Sequence, residues 1–147
     1  MTYQYEYPRP AVAVDLVVFK TTNRHREVLL ILRKNEPFAD QWALPGGFLD
    51  EDETLEQAAA RELMEETGVS CKNLQQLGVW STVNRDPRTR VISVSFLAEI
   101  SADQNPVAAD DAKDARWFRI DTVPDLAFDH DQMLQVAMNA VRRPFTG

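Results

Sequence analysis

Cysteine is nearly absent from this 147-residue chain: Cys71 stands alone, so no intrachain disulfide can form. That usage fits a reducing compartment. Histidine is scarce as well, with 2 residues, and no Cys/His spacing of a zinc site occurs. Basic residues are the minority, 16 Lys+Arg against 23 Asp+Glu, for a net charge of −7. The balance argues against a general nucleic-acid coat or a binder of anionic membranes. It leaves room for an anionic small substrate, provided metal ions or a local arginine cluster reverse the field. No apolar run approaches the ~20 residues needed to span a bilayer. The start, MTYQYEYPRP, lacks the basic and apolar regions of a signal peptide. A soluble, cytoplasmic protein is the expectation. With 44% hydrophobic residues, 5 Gly and 8 Pro, the chain is neither disordered nor collagen-like. No linker or internal repeat interrupts it, so one domain over 1–147 is expected.

What is present reads as alternating strands and helices. AVAVDLVVF (11–19) and VLLIL (28–32) are β-branched or aliphatic runs, apolar on both faces except at Asp15, and predict buried strands. Segments 76–83 and 91–100 predict two more, the second with Ile92, Val94, Phe96, Ala98 and Ile100 on one side and Ser93, Ser95 and Glu99 on the other. ARWFRI (115–120) predicts a fifth. Thr54 and Gln57 form a T-x-x-Q capping box, Gly68 is the expected stop, and Leu55, Ala58, Ala59 and Leu63 recur at helical spacing, which predicts a helix over 54–67. A second amphipathic helix is expected over 128–141, with Pro144 beyond its end. Strands before, between and after helices suggest an α/β fold, a mixed sheet covered by helices on both faces.

The first helix carries the chemistry. Glu62 and Glu66 are four apart and Glu65 lies three from Glu62, so all three share one face. Like charges at that spacing cost a few tenths of a kcal/mol. A solvated acidic face with Arg61 as counter-charge accounts for them. Divalent cations account for them too, because hard oxygen ligands in this number suit Mg²⁺ or Mn²⁺ better than Zn²⁺. The preceding Gly46-Gly47 turn offers a backbone carbonyl.

The full spacing narrows the choice. Gly47, five residues, Glu53, seven residues and then RELMEETGV (61–69) resembles the Nudix box without a gap or a substitution, and WALPG (42–46) resembles its usual lead-in. The resemblance implies a Nudix-type α/β/α sandwich and hydrolysis of a nucleoside diphosphate linked to another moiety. It also implies roles. Glu62 and Glu66 would be principal metal ligands, with Glu65 on a further metal or orienting water, and the Gly46 carbonyl would complete the shell. Glu53 and Arg61 would pair to hold loop against helix. The base that deprotonates the attacking water would be Glu65, or one of Asp110, Asp111 and Asp114 in AADDAKDARWF. Asp111 is preferred if that loop contributes.

YEYPRPAVAVDLVVF, QWALPGGFLDEDE, NRDPRTRVISVSFLA and LAFDHDQML are similar to ADP-ribose pyrophosphatase-like Nudix proteins. This resemblance implies ADP-ribose as substrate, AMP and ribose 5-phosphate as products, and a homodimer as a compatible assembly. Arg85, Arg88 and Arg90 form a basic knot that reads either as a solvated exposed loop or as a clamp on substrate phosphate. Tyr3, Tyr5 and Tyr7 alternate as on an exposed strand, suited to stacking a base, to meeting a partner subunit or to local packing. Asp15 is expected to be hydrogen-bonded structure, and His25 and His130 to be non-catalytic. The alternatives are a Nudix hydrolase for a nucleoside triphosphate, a dinucleoside polyphosphate or a nucleotide sugar, or a non-catalytic ADP-ribose-sensing module. Some similar proteins join such a module to a C-terminal DNA-binding domain. The end at Gly147, soon after the last expected helix, gives the expectation that none follows here.

Overall fold

The computed structural model describes residues 2–22, 25–101 and 103–142. Seven strands and two α-helices follow one another as β1 (Ala11–Thr21), β2 (Arg26–Arg33), β3 (Trp42–Ala43), β4 (Gly46–Phe48), α1 (Leu55–Thr67), β5 (Gln75–Trp80), β6 (Val91–Ile100), β7 (Ala112–Arg119) and α2 (His130–Arg142), with a 3-10 turn at Ile120–Thr122. The sheet runs β3-β2-β1-β6-β5 and is mixed: β1 and β6 are parallel over ten residue pairs, from Ala11↔Val91 to Lys20↔Ile100, and the other pairings are antiparallel.

The two-residue period of β1 sorts the core into two layers. Val14, Leu16 and Val18 pack with Ala58, Ala59 and Leu63 of α1. Val17 and Phe19 pack with Met133, Leu134 and Ala137 of α2. The expected mixed sheet between helices is therefore present. Among the described residues no helix is long and apolar enough to cross a membrane.

The opening for the site comes from how β2 leaves β1. The two strands pair only at Phe19, Lys20 and Thr21; further along β2 pairs with β3 at Ile31 and Leu32, while β7 runs along its other edge from Glu27 to Arg33. Into the gap comes β4, which pairs with β1 at Ala13, Val14 and Asp15. Gly46 and Gly47, expected in a turn, thus lie in a short strand, and a second short strand, β3, precedes them.

Other boundaries move for local reasons. The strand expected over 76–83 stops at Trp80, because Arg90 draws the Ser81 carbonyl (2.8 Å) into the following loop. The strand expected to begin at Ala115 begins at Ala112, and Ile120 opens the 3-10 turn. The second helix begins at His130 rather than Phe128, because Phe128 has a left-handed backbone (φ 54°). Ser93 and Ser95 are buried rather than solvent-facing. The Ser93 hydroxyl donates to Asp15, and the Ser95 oxygen accepts from Trp80 Nε1 at 3.0 Å. The tyrosine arm is exposed irregular chain, not a strand, and Pro8 and Pro10 at its end withhold ladder donors. Pro144 lies outside the described residues.

The helix signals are met. Thr54 Oγ1 accepts from the Gln57 amide at 3.1 Å while Gln57 Oε1 accepts from the Thr54 amide at 2.9 Å. Gly68 ends α1 at φ 72° and its N–H donates to the Met64 carbonyl.

Candidate active site

Three acidic residues on one face of α1 meet three different environments. Glu66 extends the row of Ala59 and Leu63 that faces the sheet, and it is buried, 5% exposed. Glu62 is half-buried. The Glu65 side chain is 45% exposed.

The approach of β4 explains the Gly-Gly pair. A Cβ at Gly46 would overlap the Val14 carbonyl, so that position tolerates no side chain, and one at Gly47 would push the Glu62 carboxylate aside. The antiparallel register bonds β1 to the residues flanking Gly46, as in Leu16 N–H to the Pro45 carbonyl at 2.8 Å. Gly46 therefore directs its own main-chain groups away from β1. Its N–H donates to Glu66 Oε1 at 2.7 Å.

That amide is the only direct hydrogen bond on the Glu66 carboxylate among the described residues. Burial pushes the carboxyl up to about 8; the Gly46 N–H opposes the rise, and the charges of Glu62, Asp15 and Asp111 reinforce it. Burial likewise raises Glu62, against Arg61.

Arg61 occupies the outer side of the cluster. It donates from Nε to Glu53 Oε2 (2.9 Å) and from Nη2 to Glu53 Oε1 (2.5 Å). Its Nη1 reaches Glu62 (2.8 Å) and Glu65 (3.1 Å), and its Nη2 also donates to the Phe48 carbonyl (3.1 Å). The bidentate contact with Arg61 takes the Glu53 carboxyl down to about 2, helped by the Asp50 N–H.

Among the described residues no three His, Cys, Asp or Glu side chains are gathered tightly enough to ligate one ion. Arg61 holds Glu62 and Glu65 outward while Glu66 turns in to Gly46. The chemistry of the donors nevertheless fits a hard cation. Glu66 is a buried carboxylate without a cationic side chain on it, Glu62 and Asp111 add negative charge, and all the available donors are oxygens.

A cleft of about 350 Å³ opens on Glu62, Glu66, Gly46 and Gly47 and is lined also by Asp111, Arg33 and Arg88. Asn35 Nδ2 donates to Asp111 Oδ1 at 3.2 Å. Glu65, Asp110 and Asp114 do not line this cleft; Asp114 pairs with Arg116 at 2.7 Å.

The three loop arginines separate. Arg85 is expected in an exposed loop without core contacts, but its side chain is only 4% exposed. Its Nε and Nη2 donate to both carboxylate oxygens of Asp129, at 2.9 and 2.6 Å. Asp129 immediately precedes α2, so this pair ties the loop to that helix. Arg90 binds the Ser81 carbonyl and lines neither the cleft nor the hollow beside it. Arg88 is 42% exposed, is oriented by Asp86 (3.0 and 2.7 Å), and lies over the Phe48 ring at 4.9 Å on the cleft wall.

The hollow adjoining the cleft shares Arg33, Gly46, Gly47, Phe48 and Arg88 with it and reaches down to Asp15 and His130. His130 Nδ1 accepts from the Leu44 N–H at 3.0 Å, which leaves Nε2 to face Asp15 Oδ1 at 3.3 Å. Asp15 is thus hydrogen-bonded structure, as expected. Trp42 meets Phe118 edge-on at 4.7 Å and belongs to the core. Sequence reasoning did not single out Arg33 or Phe128; a lone arginine at a strand end and a phenylalanine before a helix carry no pattern.

Similarity to known proteins agrees with this geometry. The NUDIX domain family matches residues 9–137. An ADP-ribose pyrophosphatase of Methanocaldococcus jannaschii is 45% identical over 129 residues, covering 88% of this chain and 73% of that one. The ADPR responsive transcriptional repressor NtrR of Acinetobacter baylyi is 35% identical over 136 residues, which is 90% of this chain but only 54% of the repressor. Among solved structures, the NUDIX domain of Shewanella oneidensis NrtR complexed with ADP ribose superposes with a TM-score of 0.87 at 34% identity, covering 92% of this chain and 90% of that one. The box on α1, the sheet between two helices and these matches together make the chain a member of the Nudix hydrolase family.

Proposed function

We propose that the chain hydrolyses the diphosphate bond of ADP-ribose to AMP and ribose 5-phosphate, with Mg²⁺ or Mn²⁺ as its metal. The observation that carries this reading is Glu66: a buried carboxylate held by one backbone amide, with Glu62 and Asp111 on the same cleft. The name of the relative at 45% identity supports ADP-ribose as the nucleotide.

Glu62, Glu66 and the Gly46 carbonyl would hold the ion, and Glu65 could join only by leaving Arg61. When bound, such an ion neutralises diphosphate charge and acidifies water. In the reaction water adds to one phosphorus, the bridging P–O bond breaks, the other phosphate leaves and one proton must be taken up. Asp111 faces the cleft and is oriented by Asn35, so it is our choice of proton acceptor over the outward-facing Glu65. Arg88 presents its guanidinium to the phosphates. Arg85 and Arg90 hold the loop that carries it.

A second reading, an ADP-ribose-sensing module, is favoured by the repressor relative. The test is purified protein with Mg²⁺ against ADP-ribose, a nucleoside triphosphate, a dinucleoside polyphosphate and a nucleotide sugar, with product identification. Preferred cleavage of ADP-ribose to AMP and ribose 5-phosphate is expected. ADP-ribose binding without turnover would favour the sensing module.

A further inference from the structure

We propose that Arg33, with Arg88, forms a two-armed anion clamp that grips a phosphate of the substrate, and that the Phe128 ring holds the two arms in place. The proposal rests on the diphosphate reading of the same cleft and adds a residue and a subsite to it.

Arg33 is the last residue of β2 and is half-buried. Its hydrogen bonds go to main-chain carbonyls, from Nε to Pro37 at 2.8 Å and from Nη2 to Asn35 at 3.5 Å. Among the described residues it forms no ion pair. Arg61 is committed to Glu53, Glu62 and Glu65 and Arg85 to Asp129, whereas Arg88 spends Nε and Nη2 on Asp86 and keeps Nη1 for a ligand.

The placement of Arg33 sets two guanidinium groups side by side. Its guanidinium carbon lies 5.0 Å from the centre of the Phe128 ring, and that of Arg88 lies 5.8 Å from the same ring. Two like charges on one aromatic ring repel each other. Burial and then the Arg88 charge lower the proton affinity of Arg33, and the charges of Glu66, Asp86 and Asp111 offset this only in part. Both residues line the cleft that holds Glu62 and Glu66, and both line the adjoining hollow.

The platform between them is itself strained. Phe128 and Phe38 have left-handed backbones, at φ 54° and 60°, which bulky residues rarely adopt. Their rings meet at 4.6 Å. A strained aromatic pair, a shared ring and two guanidinium groups on one cleft fit a ligand that offers oxygens in several directions. A phosphate group has that form, and forked guanidinium donors match it.

The test compares wild type with Arg33→Ala, Arg33→Gln, Arg33→Lys and Arg88→Ala in one magnesium buffer. Steady-state kinetics with ADP-ribose are paired with calorimetric titration of AMP, ribose 5-phosphate and, as an uncharged control, adenosine. Arg33→Ala should raise KM at least tenfold and change kcat less. It should weaken one or both phosphate products at least tenfold and leave adenosine binding as it was. Arg33→Lys should recover part of the loss, because a point charge replaces the fork. If the alanine variant melts early through loss of the Pro37 contact, Arg33→Gln carries the comparison. Unchanged KM and product affinities in Arg33→Gln would overturn the clamp, as would an equal loss of adenosine binding. Should wild type bind the products through Arg33 yet leave ADP-ribose intact, the clamp stands and the proposed reaction falls. Should wild type cleave ADP-ribose with Arg33 dispensable, the reaction stands and the clamp falls. A wild type that binds neither phosphate and leaves ADP-ribose intact overturns both.

Discussion

Two buried carboxylates a short distance apart, Asp15 on β1 and Glu66 on α1, have opposite chemistry. Both pay a desolvation penalty. For Asp15 burial raises the carboxyl, but His130, the Ser93 hydroxyl and Arg85 more than offset it, and the group ends below its ordinary value. For Glu66 the offset is one backbone N–H, and the group ends at about 8. A buried carboxylate with its partners built in is part of the framework. A buried carboxylate without a cationic partner has room for a cation from outside, and this is what a metal-dependent hydrolase requires of its helix.

The sharpest way to break this contrast is to remove each charge. Asp15→Asn should destabilise the fold by about 1–3 kcal/mol, because it disturbs the buried hydrogen bonds that Asp15 accepts from Ser93 and His130. Chemical denaturation measures this, and a loss under ~1 kcal/mol would return Asp15 to an incidental position. Glu66→Gln should fold and, without metal, melt no lower than wild type, since an amide can still accept from Gly46 without a buried charge. Its turnover should nevertheless fall about a hundredfold or more, equivalent to ~3 kcal/mol of transition-state stabilisation. Near-normal turnover at saturating Mg²⁺ would falsify the assignment.

The same contrast separates the loop arginines. Arg85→Ala strips a bidentate partner from Asp129 and should cost about 2 kcal/mol of stability. Arg88→Ala strips buried Asp86 in the same way and should also cost stability, but Arg88 faces the cleft, so only its variant should weaken substrate affinity as well. Equal changes of KM in the two variants would remove the distinction.

The smallest effect concerns Glu53. Its folded pKa, about 2, lies below the ordinary 4.5, so its contribution is present above 4.5 and is lost as pH falls from there through about 2. Glu53→Gln should flatten that part of the acid denaturation curve. A variant that titrates like wild type would show that Arg61 does not stabilise the loop through this charge.

Much of this was legible in the chain because the signals are local. Thr54 and Gln57 act within the first turn of α1 and Gly68 within its last, and the apolar run 11–19 and the alternation in 91–100 mark strands wherever they pair. The spacing from Gly47 to Val69 likewise carried the family and the acidic face. What stayed hidden depends on distant partners. Glu62, Glu65 and Glu66 look alike at helical spacing, and only the seating of β4 against α1 makes Glu66 the buried one. Arg85, Arg88 and Arg90 look alike as a run, yet Asp129, 44 residues beyond Arg85, withdraws one of them from solvent. Ser93 and Ser95 suggest a solvated face until α2 and Asp15 cover it. The left-handed backbone at Phe128 has no sequence signature, because nothing in the residue type favours it.

A cation should complete Glu66, and thermal melts with and without Mg²⁺ test this most directly. An ion that binds only the folded cluster must stabilise it by mass action, by about 2.7 kcal/mol at a hundredfold excess over Kd. Wild type should therefore melt higher with Mg²⁺, and Glu62→Gln/Glu66→Gln should lose most of that gain. An equal gain in the double variant would mean that the ion binds elsewhere and that the buried carboxylate is not its site.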